Sequence, residues 1–187
     1  MPKLNAVGDL VLTDPRAMQA LADPFRLALH DHLRRHGPAT AADLAAHLDS
    51  TEPAVEEHLR ELEACGLVKR DDRWEAVGKG FVFEIPDDAE GQAAARALSR
   101  VMLLQYVDLP RRWVAEDEPR LALDWARAVG LFNARVTVTP DELRGLQEGL
   151  EQLLEAFLTR DPADRPRDAS EVRILGYFMP AAPLPGS

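Results

Sequence analysis

Cysteine is almost missing from this chain: Cys65 stands alone among 187 residues, so no intrachain disulfide can form and no thiolate cluster is at hand for a metal. Long apolar runs are missing too. None approaches the roughly 18 residues that a membrane span needs, and no charged segment followed by a hydrophobic stretch opens the chain. These absences predict a cytoplasmic protein with no membrane partner. No Gly-rich phosphate loop occurs, and neither Ser99, Ser170 nor Cys65 sits in a nucleophile motif, so the expectation is no catalytic residue, no cofactor and no enzyme. Positive charge is scarce. The net charge is −10, and residues 1–90 hold 10 Lys and Arg against 18 Asp and Glu. A polyphosphate ligand normally selects the opposite balance.

What is present is helical punctuation. Asp14-Pro15 and Asp23-Pro24 each place a cap before an N1 proline, the second ahead of Phe25, Leu29 and Leu33, with Gly37-Pro38 as a stop. Thr40 and Asp43 form a capping arrangement for a short helix carrying Leu44 and Leu48. After a polar turn at 49–52, Val55, Leu59 and Leu62 recur at helical spacing up to Gly66. Two strands around the reversal Asp71-Asp72 follow, the wing of a helix-turn-helix unit, and 81–85 offers a further strand.

The predicted fold class is mainly α with small β elements: an N-terminal arm over 1–12, a winged helix-turn-helix domain over 13–86, a helical C-terminal dimerisation unit over 87–179, and a tail over 180–187. In the third segment, Ala94, Leu98, Val101 and Gln105 mark a helix that ends before Pro110, and Glu118-Pro119 starts another bearing Leu121, Trp125 and Val129. Thr139-Pro140-Asp141-Glu142 combines an N-cap, an N1 proline and an N3 carboxylate before a leucine stripe ending near Phe157. The β-favouring stretches 131–138 and 171–179 on either side predict a small sheet with that helix across it.

The segment Pro53-Ala54-Val55-Glu56-Glu57-His58-Leu59, continuing through Leu62 to Gly66-Leu67-Val68, resembles the recognition-helix region of the ArsR family, and Ala22-Asp23-Pro24-Phe25-Arg26-Leu27 resembles its entry into the second helix. The stretch from Arg73 to Gly80 and the helix 140–158 are similar to one subgroup. The resemblance implies a homodimeric transcriptional regulator on palindromic double-stranded DNA, with a C-terminal unit that dimerises and answers a small-molecule effector. Carried onto this chain, the DNA-binding positions it implies are Ser50, Thr51, Glu52, Pro53, Glu56, Glu57 and Arg60, with Lys69, Arg70 and Arg73 on the wing. The family favours Gln, Ser and Arg where this chain has Glu52, Glu56 and Glu57. Its metal-sensing sites are absent: the helix 40–48 has no cysteine, and 91–187 has no histidine.

Two readings of the recognition helix follow. Stepping 100° per residue from Val55 turns Pro53, Glu57, Arg60 and Glu61 outward and leaves Glu56 on the flank. Either this face reads DNA despite its carboxylates, or the winged helix has lost ordinary DNA binding and its acidic face takes a basic protein partner. His32 and His36, four apart, read as a solvated helix face and not as a metal site. His30, His47 and His58 read as packing or surface residues, and Cys65 as a small packed residue near a helix end.

Overall fold

The structure, a computed structural model, describes residues 3–181. It divides into two compact units, Met1–Ala122 and Leu123–Ser187.

In the first unit, each short helix begins where a side chain satisfies an otherwise orphaned backbone N–H. Asp14 accepts from the Arg16 amide to open α1 (Pro15–Leu21), and Asp23 accepts from Arg26 to open α2 (Pro24–His36). Gly37, at φ 82°, ends α2 in a conformation that glycine adopts without strain. The reciprocal Thr40–Asp43 box opens α3 (Ala41–His47). Asp49 then turns the chain at φ 51° into α4 (Glu52–Ala64). Strands β2 (Val68–Arg70) and β3 (Trp74–Ala76) form an antiparallel hairpin in which Lys69 faces Glu75 and Arg70 faces Trp74. Paired backbone bonds between Ala39 and Trp74, at 3.0 and 2.9 Å, tie that hairpin to the lead-in of α3.

One continuous core joins these elements. Leu21, Leu27, Leu29 and Leu33 meet Leu44, the Val55–Leu59–Leu62 stripe of α4, and Leu67, Val68 and Trp74 of the hairpin. Each fully buried leucine contributes on the order of 2 kcal/mol relative to exposure.

Two boundaries differ from the sequence expectation. Residues 1–12 are not simply an arm: β1 (Leu10–Leu12) pairs in parallel with β4 (Phe81–Phe83), and Leu10 and Leu12 are buried. A three-residue strand is too short to show a period, so no pattern announces it. The boundary placed after residue 86 falls instead after Ala122, because α5 (Ala89–Tyr106) buries Ala94, Ala95 and Leu98 in the core of the first unit. Gly91 is required there, since a Cβ would stand 2.4 Å from the Pro86 ring. Beyond α5 come α6 (Leu109–Arg112), a π turn (Trp113–Asp117) and a 3-10 turn (Glu118–Arg120).

In the second unit, α7 (Leu123–Ala128) replaces most of the helix expected from residue 118, which breaks at Leu121–Ala122. The capping box of Thr139 and Glu142 opens α8 (Pro140–Leu158), as its sequence predicts. The expected sheet is a correction: 131–138 and 171–179 carry no strand. Their apolar side chains, Val136, Val172 and Ile174 among them, are exposed. A β-favouring segment becomes a strand only when a neighbouring strand takes its backbone bonds, and neither segment has one here. The tail, apart from Pro180 and Ala181, lies outside the described residues. No described helix is long and apolar enough to cross a membrane.

Candidate nucleic-acid interface

Helix α4 stands on the core through Val55, Leu59 and Leu62, so its other faces are fixed by rotation. Ser50 lies half-buried in the turn, its N–H donating to the Ala45 carbonyl at 2.9 Å. Thr51 is the N-cap but caps nothing with its hydroxyl, and Thr51, Glu52 and Pro53 are all exposed around the first turn. Glu57 and Arg60 are exposed one and two turns on. The hairpin beside the helix exposes Lys69, Arg70 and Arg73 around its acidic reversal.

The structure brings three of the expected residues, Glu56, Arg60 and Arg70, together. Glu56 does not project outward. Its side chain, only 18% exposed, turns toward the hairpin and accepts from Trp74 Nε1 at 3.2 Å, from Arg70 Nη1 at 3.2 Å and from Arg60 Nη2 at 3.3 Å. The Arg70 guanidinium also lies over the Trp74 ring, 5.2 Å from its centroid. Trp74 is 2% exposed, and a buried indole N–H requires an acceptor. The family resemblance put Glu56 among the DNA-facing positions and helical rotation put it on the flank; Trp74 had no assigned role, and the one legible signal for it was that flank position beside a strand tryptophan.

The remaining cations are spread out. Lys69 pairs with Glu75 across the hairpin at 3.0 Å. Arg73 forms no ion pair within 4 Å among the described residues, although its charge helps the Thr40 bonds hold the Asp43 carboxyl below its usual range. On α4 itself, Glu61 is taken by Arg26 of α2, which fastens the two helices together.

Histidines form a second grouping that the sequence only half displayed. His47 at the end of α3 reaches His32 and His36 of α2, with ring centroids 4.2 and 6.2 Å away, and His32 and His36 are 4.6 Å apart. Burial, then the neighbouring His47 and His36, lower the pKa of His32, and Asp31 opposes them. No group of three His, Cys, Asp or Glu among the described residues is arranged to hold a metal ion. His30 is a core residue, edge-on to Phe81 with its Nε2 unpartnered, and burial together with Arg34 pushes its pKa down to about 4. Partial burial raises the Cys65 thiol pKa, which disfavours a reactive thiolate.

A helix-turn-helix domain family matches residues 21–71, the stretch from the end of α1 to the tip of the hairpin. The HTH-type transcriptional regulator Rv2034 of Mycobacterium tuberculosis is 45% identical over 98 residues, covering 52% of this chain and 76% of that protein. The chain belongs to the helix-turn-helix transcriptional regulators. No solved structure matches it. In this regulator the matched stretch holds α2, α3, the Asp49 turn, α4 and β2, and the first turn of α4 is exposed.

Proposed function

We propose that this regulator is an ArsR-like winged helix-turn-helix protein that binds double-stranded DNA in the cytoplasm as a homodimer on palindromic operators. Helix α4 would enter the major groove through Ser50, Thr51, Glu52, Pro53 and Glu57, with Arg60 turned to the phosphates at the groove edge, and the β2–β3 hairpin would act as the wing, with Lys69, Arg70 and Arg73 along flanking phosphates. The observation that carries this reading is the pairing of an exposed first turn on α4 with exposed hairpin cations beside it. Exposed Leu103, Leu104 and Val107 at the end of α5, and the leucine face of α8, support self-association. A small-molecule effector would act by changing the spacing of the two recognition helices.

One observation favours a second reading, a winged-helix module for a basic protein partner. The exposed surface of α4 carries Glu52, Glu57, Glu61 and Glu63 against Arg60; Arg26 takes Glu61, but Arg60 is itself paired with Glu56. Gel shifts of the full chain against genomic fragments from low to moderate salt separate the two. The DNA reading predicts bands that weaken with salt and on Arg73→Ala; no band at low salt overturns it.

A further inference from the structure

Donors from two elements end on one carboxylate. Arg60 comes from α4, Arg70 and Trp74 come from the hairpin, and Glu56 receives all three. The Trp74 bond alone would satisfy the buried indole and fix the hairpin against the helix. The two arginines are different in kind, because their side chains remain 69% and 49% exposed and so stay within reach of an incoming ligand. Guanidinium pairs with carboxylate and with phosphate through the same fork of donors.

We infer that Glu56 is an internal stand-in for DNA phosphate, holding Arg60 and Arg70 in the free protein so that DNA binding exchanges a carboxylate for a backbone phosphate. This rests on the DNA-binding reading above. An exchanged ion pair yields less free energy than a new one. The vacated carboxylate also recaptures a cation from solution, so fewer cations are released in total than phosphates are contacted. The device weakens contacts made to any sequence and leaves base contacts to decide occupancy, making Glu56 a specificity-determining residue although it touches no base. Trp74 keeps the carboxylate in place while the arginines leave.

The substitution Glu56→Gln separates the two roles, since the amide oxygen still accepts from Trp74 Nε1 but no longer carries the charge. The experiment is fluorescence anisotropy of the full chain with a labelled non-specific 30-base-pair duplex over a salt series, on wild type, Glu56→Gln, Arg70→Gln and the double variant. The expected result is binding about fivefold tighter for Glu56→Gln, a salt slope steeper by about one, and a larger loss from Arg70→Gln when it is combined with Glu56→Gln than when it is made in wild type. Unchanged or weaker binding by a Glu56→Gln protein with wild-type circular dichroism and melting overturns the inference while leaving the DNA reading standing. Binding by neither protein at low salt overturns both. If Glu56→Gln does not fold, Arg60→Gln and Arg70→Gln in wild type decide the matter: losses under about twofold support held arginines, and losses of about tenfold or more contradict them.

Discussion

The two units of this chain invert the relation between local signal and packing. The first combines helices of very different length with three-residue strands, none of which carries as complete a local signal as α8, yet it buries a continuous core from Leu10 to Leu98. The second contains α8, with a capping box, an N1 proline and a leucine stripe, yet no described residue in that unit is buried. Caps and periodicity decide that a helix forms and where it starts; burial needs a second surface, and among the described residues the buried ones all belong to the first unit.

The largest expected effect sharpens this contrast. Leu59→Ala removes a fully buried side chain and should cost about 3 kcal/mol in urea unfolding, whereas Leu153→Ala, 73% exposed on α8, should cost less than about 0.5 kcal/mol in dilute protein. A cost near 2 kcal/mol for Leu153→Ala that is the same at every protein concentration would break the contrast, whereas a cost that grows with concentration would place the second surface on another copy, as the homodimer reading proposes.

Acid should separate the units next. The folded-state pKa of His30, about 4, lies below its ordinary 6.5, so folding favours the neutral ring. Its contribution is fully present above about pH 6.5 and is lost as the pH falls toward 4, a decline of roughly 3 kcal/mol. Melting temperatures across this window should fall, and His30→Leu should flatten the fall. The second unit has no histidine. Its local counterpart is Glu142, whose carboxyl the Thr139 bonds hold low, so that contribution is present above the ordinary carboxylate range and lost below it. Helicity of α8 should therefore persist at pH 5, where the first unit has already weakened.

The smallest effects are at the caps. Thr40→Ala and Thr139→Ala each remove a reciprocal box and should each cost about 1 kcal/mol of helix stability. The first should appear as a lower unfolding midpoint and the second only as lost helical circular dichroism, because no residue of α8 is buried.

Elements set by neighbouring residues were legible in the sequence. Asp23-Pro24, the Thr40–Asp43 box and Thr139 through Glu142 put α2, α3 and α8 where they stand. The Val55–Leu59–Leu62 stripe likewise oriented α4. What was not legible depends on distant partners. β1 exists because β4 lies beside it, and α5 joins the first unit because Gly91 lets it approach Pro86. Of the expected DNA-facing residues, the exposed ones follow from helical rotation, but Glu56 turns inward toward Trp74, eighteen residues away, through a hydrogen bond that no local pattern encodes. The expected C-terminal sheet failed for the converse reason: 131–138 and 171–179 have strand composition but no strand to pair with.

Amide hydrogen exchange of the full chain, with and without a duplex recovered by binding selection at moderate salt, tests the central claim most directly. The predicted result is added protection over residues 50–60 and 69–73 on binding DNA, and no DNA-dependent change over 140–158. Protection confined to α8, with α4 and the hairpin unaltered by bound duplex, would contradict it.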